Sequence, residues 1–187
     1  MREKKDGSYR MILNLKDMNQ LIQKTHFKME TLISAISLMK ENCYFASLDL
    51  KDAYFSVNIR KEHRKFFRFR YKGTLYEFTS LPQGYKESPR IFTKLLKPIL
   101  GFLRSQGHNL VAYIDDTFLQ GDTKEECSDN VKETGKLLDE LGYTIHPVKS
   151  VFEPRQQITF LGFVLDSRTM TVSVEKTGNR EISLAQN

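Results

Sequence analysis

The chain of 187 residues contains few of the residues that stabilise extracellular or membrane proteins. It has two cysteines, Cys43 and Cys127, and no tryptophan. A disulfide framework is therefore not expected, and a reducing intracellular compartment, cytoplasmic or nuclear, fits better. No apolar run approaches the length of a membrane span, and the N-terminus lacks the apolar core of a signal peptide. We expect no membrane partner and predict that both cysteines are small buried hydrophobic residues.

Charge is distributed unevenly along the chain. The net charge is +6, and residues 60–72 carry seven basic side chains and one acidic side chain among several aromatic rings. Residues 121–142 have the opposite balance, with seven acidic and three basic side chains. Basic residues interleaved with Phe and Tyr are typical of a surface that follows phosphates and stacks bases. A solvated charged face would show the same balance, so charge alone leaves both interpretations open.

Strand and helix patterns alternate without a regular βαβ repeat. Apolar spacing predicts helices over 31–42, from Ser88 onward with Ser88 as N-cap, and over 123–142. The third helix has a capping box at Thr123 and Glu126 and an apolar face of Cys127, Val131, Thr134, Leu138 and Leu141. Strands are predicted at 44–50, in hairpins over 65–81 and 158–174, and on both sides of a turn in 111–121. This order favours an α+β fold, an antiparallel sheet with helices packed on one face.

Two pairs of carboxylates interrupt apolar strand sequences. Asp115 and Asp116 lie in "VAYIDDTFLQ", and Asp49 and Asp52 lie in "SLDLKDAYF". A half-buried carboxylate is costly unless it is paired or bound to a cation, and carboxylates without His or Cys select hard divalent ions. If the two strands are neighbours, Asp49 and Asp115 could face one another across a two-metal site for phosphoryl transfer. Taken alone, "YIDD" is equally typical of an ordinary Asp-rich turn.

Five stretches, in the same order along the chain, resemble the motifs of reverse transcriptases. They are "DGSYRMILNLKDMN" (6–19), "LDLKDAYFSV" (48–57), "LPQGYKESPRIF" (81–92), "YIDD" (113–116) and "FLGF" (160–163). Three further stretches are most similar to DIRS-like retrotransposons: "SPRIFTKLLKPIL", "GYTIHPVKSVF" and "FLGFVLDSRTMTVSV". The stretch "LPQG", in contrast, is more like the retroviral enzymes. The resemblance implies a right-hand polymerase fold, with fingers at about 1–44 and 60–80, palm at about 45–59 and 81–174, and a divergent, disordered tail at 175–187.

The same resemblance implies the metal site of an RNA-directed DNA polymerase. Asp49 and Asp115 would be the ligands of two Mg²⁺ ions, with Mn²⁺ as a possible substitute. Asp116 would contribute less to the coordination of the two ions, and the Leu50 carbonyl would complete one coordination shell. A primer on an RNA or DNA template and deoxynucleoside triphosphates are the implied partners.

Residues that would hold the nucleotide follow from the resemblance as well. The backbone N–H groups of Asp52 and Ala53 would bind the triphosphate, and Tyr54 would exclude a ribose 2′-hydroxyl. Arg10, with Lys4 or Lys5, would clamp the β- and γ-phosphates. Without the resemblance, Tyr54 would be interpreted as a plain core residue.

Other implied contacts lie further along the chain. Gln83 and Gly84 would sit close to nucleotide and template, although a turn after a proline explains them equally well. Lys149 would protonate the leaving pyrophosphate, or would be an ordinary surface lysine. The implied primer and template contacts are Lys16, Tyr113, Leu161, Gly162 and Phe163.

Departures from the family pattern define the alternatives. Lys16 stands where an arginine is usual, and "EKTGNREISLAQN" follows the last motif where a helical thumb is usual. We therefore expect the thumb, nuclease and recombinase segments to be encoded elsewhere in the element. An inactive remnant that folds and binds nucleic acid is the main alternative to a polymerase. A polymerase that copies RNA into RNA is disfavoured by Tyr54 and the "FLGF" motif.

Overall fold

The computed structural model describes the backbone of residues 2–3, 9–23, 25–175 and 181–183, and the side chains of residues 11–23 and 25–175. Contacts divide the chain into two compact units, residues 1–28 with 52–94 and residues 29–51 with 95–187. All strand pairs in the described parts are antiparallel, and helices accompany them, which confirms the predicted α+β class. No helix in the described residues is long and apolar enough to cross a membrane.

The first unit contains two short strand pairs. Strands β1 (Arg2–Glu3) and β2 (Tyr9–Arg10) form one pair and precede helix α1 (Lys16–Leu21). Strands β4 (Arg68–Tyr71) and β5 (Thr74–Glu77) form the predicted hairpin. Its two turn residues, Lys72 and Gly73, both have positive φ, which suits a two-residue hairpin turn.

The hairpin is shorter than the sequence pattern predicts, because Lys61–Phe67 forms 3₁₀ turns before β4 begins. A second 3₁₀ segment spans Ala53–Ser56. The centre of the unit is an apolar cluster of Leu15, Ile59, Phe67 and Leu81. Tyr54 is among the partly buried residues that pack against this cluster.

The second unit is built on a four-stranded sheet. Its strands are β3 (Tyr44–Asp49), β6 (Asn109–Tyr113), β7 (Asp116–Gly121) and β8 (Val151–Arg155), in the order β6-β7-β3-β8. Strand β3 confirms the strand predicted at 44–50, and β6 with β7 confirms the two strands predicted around the acidic turn. Because β6 and β8 lie at the edges, β3 and β7 are the central strands.

A second four-stranded sheet packs against the first. It contains β9 (Gln157–Phe160), β10 (Phe163–Asp166), β11 (Thr171–Val174) and β12 (Glu181–Ser183), in the order β12-β11-β10-β9. The hairpin predicted over 158–174 is therefore part of a larger sheet. The ring of Phe118 lies 5.3 Å from that of Phe45 and 5.3 Å from that of Phe160, which joins the two sheets through one aromatic core. Residues 181–183 are paired with β11, which differs from the disordered tail expected there.

Three helices complete the fold: α2 (Leu32–Ile36), α3 (Ser88–Ser105) and α4 (Lys124–Glu140). Helix α4 packs against the first sheet and begins as predicted, since the Thr123 hydroxyl accepts a hydrogen bond from the Glu126 N–H at 3.1 Å. Its buried face contains Cys127, which confirms the prediction for that residue, and burial raises the pKa of its thiol to about 12.

Three details of the helices differ from the sequence predictions. Leu141 is 52% exposed, because α4 ends before it. Helix α2 is much shorter than 31–42, since the chain turns from Ser37 onward and Asn42 adopts a left-handed conformation. Ser88 is the first residue of α3 and not its N-cap, because its buried hydroxyl donates to the Pro82 carbonyl at 3.0 Å.

The boundary between the units also differs from the expected division at 44, 59 and 80. Residues 29–44 belong to the second unit, because Ala35 and Met39 pack into the core of its sheets. Residues 52–59 and 81–94 belong to the first unit, where Ile59 and Leu81 are core residues.

Candidate active site

The three candidate metal-binding carboxylates meet at one end of the central strands. Asp49 is the last residue of β3 and is paired directly with Asp116, the first residue of β7. Asp115 occupies the turn before β7, and its carbonyl accepts a hydrogen bond from the Leu50 N–H at 2.8 Å. The antiparallel pairing thus brings together two residues that are 67 positions apart in the sequence.

The turn that presents Asp115 is conformationally strained. Tyr113 and Asp116 are paired across it, and Ile114 has a φ of +58°. A left-handed backbone at a β-branched residue is an outlier that costs roughly 1–3 kcal/mol and persists only where the surrounding structure holds it. Pairing across the hairpin and the Leu50–Asp115 hydrogen bond supply that restraint.

The electrostatic environment of the cluster opposes full ionisation. The pKa of the Asp116 carboxyl is raised from 3.8 to about 6, first by burial and then by the negative charges of Asp115 and Asp49. A side-chain hydrogen bond with Asp49 acts in the same direction, and Lys149 opposes it. A bound cation would remove the repulsion that raises this pKa.

A loop over residues 144–150 encloses the end of β3. The Asp49 N–H donates to the Ser150 hydroxyl at 3.0 Å, and the His146 N–H donates to the Asp49 carbonyl at 2.7 Å. The ammonium nitrogen of Lys149 lies 3.8 Å from Asp49 Oδ1, which makes an ion pair but is too long for a hydrogen bond. Lys149 is therefore a surface lysine, 56% exposed, that lies beside the carboxylate cluster.

The donor set of the cluster fits a hard divalent cation. Asp49 Oδ1 is buried and accepts no hydrogen bond in the described structure. Within the described residues, no three His, Cys, Asp or Glu side chains are arranged to hold a metal ion by themselves. Mg²⁺ is nevertheless usually bound through one or two carboxylates, with water and substrate phosphates as its other ligands. A buried carboxylate oxygen that accepts no hydrogen bond and lies beside two further carboxylates meets that requirement.

Three of the predicted nucleotide contacts lie in the first unit, directly after β3 in the chain. Asp52 is exposed and has a left-handed conformation with a φ of +52°, which Asp tolerates better than most residues. Ala53 and Tyr54 begin the 3₁₀ segment that follows. The Tyr54 ring stands edge-on to Phe92 with the centroids 5.8 Å apart, so packing fixes its orientation.

The remaining predicted contacts of the first unit have structural partners of their own. The Gly84 carbonyl accepts a hydrogen bond from Asn19 Nδ2 at 2.8 Å, and a Cβ on Gly84 would lie 2.8 Å from the Leu13 carbonyl oxygen. Gly84 also has a φ of +102°, so its backbone conformation alone requires glycine. Its neighbour Gln83 is half-buried, and Lys16 is exposed at the first position of α1.

Two predicted phosphate contacts cannot be placed. Lys4 lies outside the described residues. Arg10 is part of strand β2, but its side chain lies outside the described part of the chain.

The predicted primer contacts of the second unit lie in or directly beside two tight turns. Leu161 and Gly162 both have positive φ, at 51° and 80°, and connect β9 with β10 in a two-residue hairpin turn. Gly162 is therefore a turn residue. Phe163 and Tyr113 are half-buried and pack against the aromatic core.

Sequence patterns missed the residues that hold Asp49 in place. The His146 backbone N–H and the Ser150 hydroxyl both hydrogen-bond to the Asp49 backbone. A single Ser or His in a loop has no periodicity or spacing that marks it. Only the pairing of the 144–150 loop with β3 reveals these contacts.

Several known proteins are similar in sequence to this chain over most of its length. A family model described as reverse transcriptase (RNA-dependent DNA polymerase) matches residues 2–165. The Gag-Pol polyprotein of avian reticuloendotheliosis virus is 28% identical over 95% of this chain and 16% of its own length. The Transposon Tf2-3 polyprotein of Schizosaccharomyces pombe is 24% identical over 90% of the chain and 12% of its own length. The chain therefore spans less than a fifth of these relatives.

A solved structure shows the same fold. The foamy viral protease-reverse transcriptase in complex with dsDNA superposes with a TM-score of 0.77 at 26% identity, covering 87% of this chain and 33% of that one. Reverse transcriptases use divalent metal ions, in keeping with the carboxylate cluster. Since the family model covers most of the chain and the fold agrees, this protein belongs to the reverse transcriptase family.

Proposed function

We propose that this chain carries the polymerising site of a retroelement reverse transcriptase. It would add deoxynucleotides to the 3′-hydroxyl of a primer that is paired with an RNA or DNA template. The observation that carries the proposal is the direct pairing of Asp49 with Asp116, with Asp115 in the adjoining turn. Three carboxylates clustered without His or Cys suit phosphoryl transfer assisted by hard divalent ions.

Mg²⁺ is the proposed metal, with Mn²⁺ as a substitute. Asp49 and Asp115 would be its main ligands, Asp116 would contribute less, and the Leu50 carbonyl would complete one shell. The bound ions would lower the pKa of the primer hydroxyl and neutralise charge on the leaving pyrophosphate. The buried Asp49 Oδ1, which accepts no hydrogen bond, and the raised pKa of Asp116 support this assignment.

Lys149 is the proposed general acid. In the reaction, the primer 3′-oxygen forms a bond to the α-phosphorus while the bond from that phosphorus to the pyrophosphate oxygen breaks. The hydroxyl proton leaves to solvent, and the pyrophosphate takes a proton from the Lys149 ammonium group. Its position 3.8 Å from Asp49 Oδ1 supports this role, because it keeps the ammonium beside the carboxylates.

The incoming nucleotide would be held by residues of the first unit. Backbone N–H groups of Asp52 and Ala53, together with Arg10 and Lys4, would bind its phosphates. Tyr54 would select deoxyribose, since its ring is fixed by Phe92 and could not yield to a 2′-hydroxyl. Gln83 and Gly84 would border the nucleotide and template.

Nucleic acid would be contacted by both units separately. Lys16 and the exposed basic and aromatic residues of the β4–β5 hairpin would follow the template, in keeping with the basic composition of residues 60–72. Tyr113 and the turn Leu161–Gly162–Phe163 would support the primer. In family terms the fingers would be about 1–44 and 60–80, and the palm about 45–59 and 81–174. The thumb, nuclease and recombinase activities would come from other segments of the element.

The source element is proposed to be a DIRS-like retrotransposon. The stretches "SPRIFTKLLKPIL" and "GYTIHPVKSVF" support this narrower assignment, whereas "LPQG" is closer to the retroviral pattern.

Primer extension on an RNA template tests the proposed function. With Mg²⁺ and deoxynucleoside triphosphates, the chain should lengthen a labelled primer. A mobility-shift titration with the same duplex measures binding of the nucleic acid separately from extension of the primer. Binding without extension would refute the enzyme and favour an inactive remnant that retains nucleic-acid binding.

A further inference from the structure

Glu30 and Arg104 together cover the free edge of strand β6. The Glu30 carboxylate accepts a hydrogen bond from the Ala112 N–H at 2.8 Å and an ion-pair hydrogen bond from Arg104 at 2.5 Å. Arg104 also donates to the Leu110 carbonyl, through Nη2 at 2.7 Å and Nε at 3.2 Å. Because β6 lies at the edge of its sheet, none of the described strands pairs with this side of it to bind these backbone groups.

This arrangement differs from an ordinary surface ion pair. Exposed pairs contribute little to stability, because side-chain entropy and solvent screening offset their attraction. Lys124 and Glu153 form such a pair in the same unit, with 50% and 71% of their side chains exposed. Glu30 and Arg104 are less exposed, at 30% and 39%, and both hydrogen-bond to the backbone of one strand. Their contacts therefore restrain the position of that strand.

The restrained strand leads directly into the acidic turn. Ala112 is three residues before Asp115, and Ile114 between them holds the strained left-handed conformation. On the far side of the turn, the Leu50 N–H holds the Asp115 carbonyl at 2.8 Å. A strained turn persists only if the elements on both sides of it are fixed. On the β7 side the strand is central, whereas on the β6 side the outer edge is fixed by Glu30 and Arg104.

We propose that Glu30 and Arg104 are positioning residues for Asp115, acting through the edge of β6. The proposal rests on the proposed function as far as catalysis is concerned. The pair touches no reacting group. It keeps β6 in register, so that the turn places the Asp115 carboxylate beside Asp49. A displacement of about 1 Å at a catalytic group can reduce a rate by on the order of 100-fold, so small movements of β6 matter.

Amide hydrogen exchange measures the restraint itself. Glu30→Ala should accelerate exchange at Ala112 and through the turn to Thr117, while amides of α4 retain their rates. Glu30→Gln keeps an oxygen that can accept from Ala112 and should restore most of the protection. Lys124→Ala, which removes the matched exposed pair, should change none of these amides. Unchanged exchange from Ala112 to Thr117 in Glu30→Ala would overturn the proposal, whether or not the chain polymerises.

Steady-state primer extension measures the consequence for catalysis. Glu30→Ala and Arg104→Ala should each lower kcat by about 10-fold, as expected for residues that orient a metal ligand, with the KM for nucleotide unchanged. Glu30→Gln should recover most of the loss. A loosened turn with unchanged kcat would overturn the positioning role. If the parent chain shows no extension while exchange changes as predicted, the proposed function fails and the structural restraint stands.

Discussion

Asp49 and Asp116 lie directly opposite each other on the two central antiparallel strands, and the negative charge of Asp49 helps to raise the pKa of Asp116. Two carboxylates in this position repel one another when both are ionised. The folded chain nevertheless holds the two residues opposite each other, and Asp49 Oδ1 accepts no hydrogen bond. A bound cation would offset both costs, which the Lys149 ammonium, 3.8 Å from Asp49 Oδ1, already reduces in part.

Asp116→Asn should stabilise the metal-free protein at neutral pH. The pKa of Asp116 is about 6 in the folded chain against an ordinary 3.8, so the folded state binds the proton more tightly than the unfolded state. Its contribution to the free energy of unfolding is therefore intact below about pH 4 and is lost as the pH rises through about 6. The substitution should raise the free energy of unfolding by roughly 1–3 kcal/mol at pH 7 and by little at pH 4.

Urea denaturation in the presence of a chelator, at both pH values, measures this difference. Asp139→Asn, at an exposed position of α4, is the control and should show no such pH dependence. An equal effect of Asp116→Asn at both pH values would contradict the predicted ionisation.

Gly121→Ala should destabilise the second unit severely. A Cβ at this position would lie 2.2 Å from the Cys127 backbone nitrogen, at the point where α4 meets the end of β7. Because the Cys127 backbone cannot move aside without shifting the helix, we expect the free energy of unfolding to fall by about 2–3 kcal/mol or more. Thermal denaturation should show a lower Tm for this variant.

The matched control is Gly101→Ala in helix α3, where a Cβ would meet nothing within 4 Å. That change should raise stability by about 0.5–1 kcal/mol, since Ala favours the helix. Equal stability of the two variants would show that α4 does not pack against β7 as described.

Tyr54→Val should relax the choice between deoxyribo- and ribonucleotides. A smaller side chain opens space where the aromatic ring would otherwise meet a 2′-hydroxyl. We expect the ratio of kcat/KM for deoxynucleotides to that for ribonucleotides to fall by on the order of 10- to 100-fold. Phe55→Val, at the neighbouring exposed aromatic residue, should leave the ratio unchanged. An unaltered ratio in Tyr54→Val would make Tyr54 a core residue only.

Lys149→Gln should slow the chemical step without preventing nucleotide binding. Loss of a general acid typically costs on the order of 100-fold or more in rate. Lys149→Arg separates the two possible roles, because arginine keeps a positive charge beside Asp49 but does not release a proton at neutral pH. If Lys149 acts as an acid, Lys149→Arg is also slow in single-turnover extension. Full activity of Lys149→Arg would show that only the charge is needed.

The sequence predicts the local elements of this fold better than their assembly. The acidic hairpin and the start of α4 follow from strand periodicity and from the Thr123–Glu126 capping pair, which are local signals. The length of α2 and the role of Ser88 were predicted wrongly, because a turn at Asn42 and a hydrogen bond to Pro82 depend on the surrounding structure.

The same distinction applies to the site. Carboxylates in apolar strands indicate a functional site from sequence alone, and the motif resemblance indicates which carboxylates belong together. The backbone contacts of His146 and Ser150, and the cover that Glu30 places on β6, have no sequence signature. They arise from pairing between distant segments, which periodicity does not encode.

Single-nucleotide incorporation in one turnover is the most direct test of the carboxylate site as a centre for nucleotidyl transfer. The parent chain, Asp115→Asn and the surface control Asp139→Asn would be mixed with a primed RNA template, Mg²⁺ and one deoxynucleotide. The parent and Asp139→Asn should extend the primer by one nucleotide at equal rates, whereas Asp115→Asn should show none above background. Extension by Asp115→Asn at the parent rate would contradict the account.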